Sequence, residues 1–101
     1  MPEKKLPGNN NKPIWKVYIL QCADGSYYTG ITNNLDARIE KHNSGKASKY
    51  TRSRLPVTMV YTETVTDKSQ ALKKEFALKK LRREEKQKLI VENSIKEYQS
   101  T

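Results

Sequence analysis

Cysteine is nearly absent from this chain, and histidine occurs once. Cys22 alone cannot close an intramolecular disulfide, and with only His42 beside it there is no Cys/His set for a structural zinc site. Cys22 therefore reads as a small buried or half-buried thiol. Long apolar runs are missing too. None approaches the ~20 residues needed to cross a bilayer, and the N-terminus lacks the apolar centre of a signal peptide, so a cytoplasmic protein is expected. Acidic residues are scarce against basic ones: 11 Asp and Glu face 20 Lys and Arg, for a formal net charge of +9. Such an excess is the electrostatic footprint of a nucleic-acid binder. Attachment to a membrane surface is disfavoured, because the basic residues do not gather into one block beside an aromatic-rich apolar face.

The 101 residues suit one domain with a modest core, and they contain no internal repeat. Residues 1–13 hold three of the four prolines and three consecutive asparagines, with only Met1 and Leu6 apolar, which predicts a disordered arm. A single folded unit is expected over 14–92, followed by a frayed tail over 93–101.

Two tyrosine-bearing runs, Val17-Tyr18-Ile19-Leu20 and Tyr27-Tyr28-Thr29-Gly30, flank Asp24-Gly25. Strand-like runs closed by Asp-Gly predict an antiparallel hairpin. A three-residue loop, Ala23 to Gly25, with Gly25 left-handed, sets Cys22 opposite Ser26, Leu20 opposite Tyr28 and Tyr18 opposite Gly30. Tyr18 and Tyr28 then share a face. A two-residue turn would slip the register by one and separate them, because side chains alternate along a strand. The three-residue loop is the expected one, and it leaves an opening at Gly30, across from the Tyr18 ring, where a ligand could approach the backbone.

Asn33 or Asn34 can cap a helix that runs to about Ser44 and stops at Gly45. Leu35, Ile39 and His42 form its inward stripe, and Arg38 sits beside that stripe, within reach of the sheet edge. From Lys46 to Pro56 a polar loop carries Lys46, Lys49, Arg52 and Arg54 around Tyr50, a mixture suited to phosphates and a stacked base or sugar, although a plain solvated loop has the same composition. Val57 to Val65 reads as a third strand entered through Pro56. Asp67, with Gln70 three residues on, starts what should be the longest helix, to about Arg82, on a stripe of Ala71, Leu72, Phe76 and Leu78. Glu75 falls inside that stripe and Lys79 beside it. An inward carboxylate needs a partner, either Lys79 as an i,i+4 pair or a metal ion at the sheet. Glu84 to Glu92 suggests a short last helix with Leu89 and Ile90 inward.

Val17-Tyr18 and Tyr28-Thr29-Gly30, then Arg38, His42 and Glu75 in that order, resemble the GIY-YIG nuclease domain, and in particular its small stand-alone bacterial members. The resemblance covers roughly Trp15 to Leu89 and includes the stretch from Ser48 through Pro56. Lys16 and Val17 stand where the first motif has Gly-Ile, and Thr29 stands for the isoleucine of the second. Tyr18, Tyr28 and Gly30 are retained. The resemblance implies an α+β fold: a small three-stranded antiparallel sheet flanked by helices in β-β-α-β-α-α order, as the residue patterns also suggest.

The resemblance further implies an endonuclease that hydrolyses DNA phosphodiesters with one Mg²⁺ or Mn²⁺. Such chemistry needs a deprotonated water, positive charge on the phosphorane and a proton for the leaving group. Glu75 would hold the ion, weakly without substrate, and Arg38 would clamp the scissile phosphate as a cationic fork. Tyr18 would activate the water and Tyr28 position it or relay a proton. A phenol titrates near 10, so this role asks for a nearby cation to lower it. His42 would assist proton transfer or bind phosphate, although a lone histidine on a helix stripe is also an ordinary core residue. Gly30, Lys79 and the loop residues Lys46, Lys49, Tyr50, Arg52 and Arg54 are assigned to nucleic-acid binding.

Two other readings compete. One is a module on the same scaffold that grips DNA or RNA without cutting it; the other is an RNA or ribosome factor that binds by charge alone. The presence of Tyr18, Tyr28, Arg38 and Glu75 together favours the nuclease. Weak or structure-based selectivity is expected, in repair or recombination, with DNA ahead of RNA, a monomer ahead of a dimer, and a targeting partner protein as an open possibility.

Overall fold

In the computed structural model, which describes residues 14–99, three strands and four helices follow one another as β1 (Trp15–Gln21), β2 (Tyr27–Thr32), α1 (Leu35–Asn43), α2 (Lys49–Arg52), β3 (Thr58–Val65), α3 (Lys68–Lys79) and α4 (Arg83–Gln99). The expected arm over 1–13 lies outside the described residues. The strands form one antiparallel sheet in the order β2-β1-β3, so β2, which carries Tyr28 and Gly30, is an edge. The α+β architecture and its element order match the expectation. The loop between Lys46 and Pro56 adds the short α2, which Ser48 caps by accepting from the Tyr50 N–H.

The hairpin takes the predicted register. Tyr18 pairs with Gly30 and Leu20 with Tyr28. Gly25 has a φ of +87°, a conformation that glycine adopts without a Cβ penalty, and the Cys22 N–H donates to the Ser26 carbonyl at 2.8 Å. Asp24 accepts from both the Ser26 N–H and the Ser26 hydroxyl, which fixes the turn from within.

Central strand β1 is covered on both faces, which explains why Val17 to Leu20 is an unbroken apolar run instead of an alternating one. Val17 and Ile19 pack with Tyr61, Ala71 and Leu78 toward α3 and α4. Tyr18 and Leu20 pack with Cys22 and Val57, and with Leu35 and Ile39 of α1, on the opposite face. Cys22 is buried, as its composition suggested.

The helix starts follow from side-chain caps. Asn34 accepts from the Ala37 N–H, and Asp67 from the Gln70 N–H. Helix α3 ends at Lys79, short of Arg82, because Glu85 reaches back to accept the Arg82 N–H at 2.8 Å and thereby starts α4. Helix α4 then continues to Gln99, past the expected end at Glu92, and it replaces α3 as the longest helix. The α3 stripe also differs from expectation. Ala71 and Leu78 are buried, whereas Leu72 and Phe76 lie exposed, with the Lys80 ammonium 4.3 Å from the Phe76 ring centroid. Strand β3 begins at Thr58, one residue late. Val57 instead has both backbone polar groups bonded to the Asn43 side chain, which ties the strand entry to the end of α1.

Candidate active site

Tyr18 and His42 are the centre of the site, and both are withdrawn from solvent, with 2% and 1% of their surface exposed. The Tyr18 hydroxyl lies 3.0 Å from His42 Nε2, and His42 Nδ1 lies 2.9 Å from Thr51 Oγ1. Thr51 in turn donates to the Ser48 carbonyl at 3.3 Å. With the Thr51 proton directed there, its oxygen accepts Nδ1–H, His42 is the neutral Nδ1–H tautomer, and Nε2 accepts the Tyr18 proton. Burial and, after it, the Arg38 guanidinium hold the imidazole below its ordinary value of 6.5. The histidine is therefore neutral at pH 7 and able to accept.

Burial is also the main influence on the Tyr18 phenol, which it pushes well above the ordinary 10.0; Tyr28 adds to the rise, Arg38 opposes it, and Glu75 adds a little more. That direction corrects the expectation that local cations would lower it. Desolvation of a phenolate outweighs one guanidinium at this site. Tyr28 stands beside Tyr18, with ring centroids 6.5 Å apart, and the charges of Arg38 and Glu75 act on the phenol. Arg38 and Glu75 come from opposite sides of the sheet, on α1 and α3, and α3 packs against β2 and β1. Among the described residues Arg38 has no carboxylate within ion-pair distance.

Gly30 has a role other than the expected one. A Cβ placed there would lie 2.6 Å from the Tyr18 hydroxyl oxygen and 2.7 Å from Cζ. The space that the glycine leaves is filled by the Tyr18 ring itself, so there is no opening for a ligand. Glycine is required because the ring lies flat across the neighbouring strand.

Aromatic rings extend outward from this centre. Tyr28 meets the His42 ring edge-on with centroids 5.1 Å apart, and Tyr50 stacks on Tyr28 at 6.3 Å and 27°. Arg54 caps the row, its guanidinium 3.9 Å from the Tyr50 centroid. It is held there by Asp24 at 3.0 Å and by the Tyr50 carbonyl at 2.8 Å. The Ser26 hydrogen bonds, more than Arg54, hold the Asp24 carboxyl below its usual range. Arg54 thus acts first as a brace for Tyr50. Lys46, Lys49 and Arg52 stand apart from the row and line a separate hollow with Gly45, Ala47 and Ser48. Thr51, Ser48 and Asp24 were not among the predicted site residues. A polar side chain that orients another has no periodicity to reveal it, although Asp24 lies in a turn and Ser48 at a helix cap.

Glu75 pairs with Lys79 at 3.3 Å, and its side chain is 20% exposed. Among the described residues no three His, Cys, Asp or Glu side chains converge. This donor set does not suit an ion caged wholly by protein. It fits Mg²⁺ or Mn²⁺ held by one carboxylate, with water and a substrate phosphate completing the shell.

Comparison with known proteins gives the family and the fold. The family model described as the GIY-YIG catalytic domain matches residues 14–89. The UPF0213 protein of Desulfotalea psychrophila is 53% identical over 81 residues, covering 79% of this chain and 74% of its own. A UPF0213 protein of Staphylococcus epidermidis is 53% identical over 76 residues, covering 75% of this chain and 93% of its own. Among solved structures, the solution NMR structure of a UPF0213 protein from Bacillus halodurans superposes with a TM-score of 0.51 at 46% identity, covering 77% of this chain and 83% of that one. An NMR structure from E. faecalis gives a TM-score of 0.57 at 40% identity, with 84% and 91% covered. Nuclease activity on a nucleic acid is what such a domain suggests. No helix among the described residues is long and apolar enough to cross a membrane. On the strength of the family match, which spans nearly all the described residues, this chain belongs to the GIY-YIG catalytic domain family.

Proposed function

We propose that the protein is a metal-dependent endonuclease that hydrolyses DNA phosphodiester bonds, with weak or structure-based selectivity, in the setting of repair or recombination. The observation that carries this reading is the buried Tyr18–His42–Thr51 chain, in which a phenol donates to a neutral imidazole. A packing histidine also needs its buried ring nitrogens paired; what supports a relay is that the partner at Nε2 is a phenol on whose charge Arg38 and Glu75 both act.

The relay also answers the difficulty raised by the high phenol pKa. As water attacks phosphorus, its proton passes to the Tyr18 oxygen while the Tyr18 proton passes to His42 Nε2, and the opposite P–O bond breaks, its electron pair leaving with the departing oxygen, which takes a proton from solvent. No free phenolate forms, and the positive charge ends on an imidazolium whose Nδ1–H is already bonded to Thr51. Tyr28, half-buried against His42, positions the water. Arg38 binds the phosphate oxygens where negative charge accumulates. Glu75 would hold a single Mg²⁺ or Mn²⁺, which when bound supplies Lewis-acid neutralisation at the phosphate. Lys79, close to that carboxylate, contributes to backbone binding.

The test is a cleavage assay on end-labelled single-stranded, duplex, flap and four-way DNA and on RNA, with Mg²⁺ or Mn²⁺, and with Glu75→Ala and Tyr18→Phe purified in parallel. Metal-dependent cutting that both variants lose supports the reading. Intact salt-sensitive binding with no cutting by the parent chain on any substrate would refute it in favour of a binding module.

A further inference from the structure

Beside the relay, a hollow of about 260 Å³ wraps the exposed edge of β2, lined by Tyr27, Tyr28, Thr29, Tyr50, Lys79 and Lys86. Two of these residues, Tyr28 and Lys79, also belong to the catalytic surroundings, so the hollow is continuous with the site. Its volume lies below the ~300–1,000 Å³ typical of pockets for drug-sized ligands, a size for one nucleotide rather than a large cofactor.

The lining is divided in kind. Three tyrosine rings give flat apolar walls, and two ammonium groups give positive charge at one side. Tyr50 is a prepared wall. The Arg54 guanidinium lies 3.9 Å from the Tyr50 ring centroid, Tyr28 stacks with that ring at 6.3 Å, and the Asp24 carboxylate and the Tyr50 carbonyl hold the guanidinium in place. Tyr27 is braced in a similar way. Arg83 sits 5.0 Å from its centroid and donates to the Gly25 carbonyl at 2.9 Å. Rings fixed by anchored cations offer stacking faces that lose little freedom when something flat lies against them.

From this arrangement, and on the nuclease reading above, we infer that the hollow holds one unpaired nucleobase next to the phosphate to be cut, seated against the Tyr28–Tyr50 ring pair with Lys79 and Lys86 on its flanking phosphates. The enzyme thereby selects single-stranded or locally unpaired nucleic acid. A base in a duplex is already stacked and paired, so it must be unpaired before it can enter, whereas an unpaired base enters freely. Stacking of this kind tolerates any base, because each has a π-face. The selectivity is therefore for strand state and not for sequence.

The test separates base recognition from phosphate attraction and from catalysis. Binding of three fluorescein-labelled probes, a short oligothymidylate, the same strand annealed to its complement, and an all-abasic strand of equal length, is measured by anisotropy in EDTA at one salt concentration. The parent chain is expected to bind oligothymidylate roughly 10-fold or more tighter than either other probe. Tyr50→Leu should erase that gap while leaving affinity for the abasic strand unchanged, and Tyr50→Trp should retain the gap. Lys86→Gln should weaken all three probes alike. Tyr50 is 38% exposed and its backbone contact to Arg54 survives substitution, so the variants should melt with the parent chain.

Equal affinity for thymidylate and abasic strands, or equal weakening of both by Tyr50→Leu, would overturn the inference. Because no turnover occurs in EDTA, the two readings fail separately. Base-dependent binding without Mn²⁺ cleavage upholds the pocket and removes the nuclease. Cleavage without base-dependent binding upholds the nuclease and removes the pocket.

Discussion

The Tyr18 hydroxyl donates to His42 Nε2 across 3.0 Å, inside a site where neither residue exposes more than 2% of its surface. On the proposed relay, activity depends on His42 remaining neutral. Its pKa is lowered, chiefly by burial, so protonation should begin to remove the acceptor only as pH falls below 6.5. The expected profile of kcat/KM holds from neutral pH through 6.5 and declines beneath it. The same shift acts on stability. The unfolded chain takes up this proton first on acidification, so stability should fall from about pH 6.5 down to the lower folded value. As the chain has one histidine, its NMR titration is a single curve. A midpoint at or above 6.5 in the folded protein would contradict the account.

Thr51 sets the tautomer. Thr51→Val keeps the shape but leaves Nδ1–H buried without an acceptor, which should destabilise the protein by about 1–3 kcal/mol. Cleavage should fall as well, because nothing then favours Nδ1–H over Nε2–H. Thr51→Ser should restore both. Denaturant melts give the stability, and ¹⁵N shifts of the imidazole give the tautomer. A Thr51→Val chain with full activity and an unchanged tautomer would remove Thr51 from the mechanism.

Gly30 separates packing from chemistry. A methyl group there must displace the Tyr18 ring, whose tip is 2.6 Å from the position of the new carbon. Gly30→Ala should cost about 1–3 kcal/mol, as overpacking does. At ~4–8 °C per kcal/mol for a domain this size, the drop in Tm is easily read by circular dichroism. Cleavage should fall further than stability alone explains, because the hydroxyl leaves His42. Tyr18→Phe should lose roughly 10²–10⁴-fold in kcat while keeping the fold, the scale expected for a removed proton carrier. An active Tyr18→Phe chain would sink the relay.

Much of this site could be read from the sequence because it hangs on local rules. Asp24-Gly25 fixes the hairpin loop, the loop fixes the register, and the register puts Tyr18 opposite Gly30. Helical spacing placed Leu35, Ile39 and His42 inward, and the structure agrees. What could not be read was long-range. Leu72 and Phe76 are apolar and four residues apart, so they mimic an inward stripe; the arc that packs is centred on Ala71 and Leu78, about 20° apart on a helix of ~100° per residue. Only the position of β2 at the sheet edge decides which arc faces in. The direction of the Tyr18 shift was hidden for a similar reason. Composition shows the cations near a residue but not how deeply it is buried.

Glu75 and Lys79 supply the last prediction, because they compete for one another. The ammonium lies 3.3 Å from the carboxylate that would bind the metal, so metal binding must draw Glu75 away from Lys79. Lys79→Ala should therefore lower the Mn²⁺ concentration for half-maximal cleavage while weakening DNA binding measured in EDTA. Glu75→Gln should do the opposite: it keeps DNA affinity, or raises it by removing a negative charge, and loses metal-dependent cutting. Titrating Mn²⁺ against cleavage rate and DNA against anisotropy for both variants checks the pair. If Lys79→Ala needs more Mn²⁺ than the parent chain at saturating DNA, the ion does not displace this ion pair, and Glu75 is held by Lys79 for structure alone.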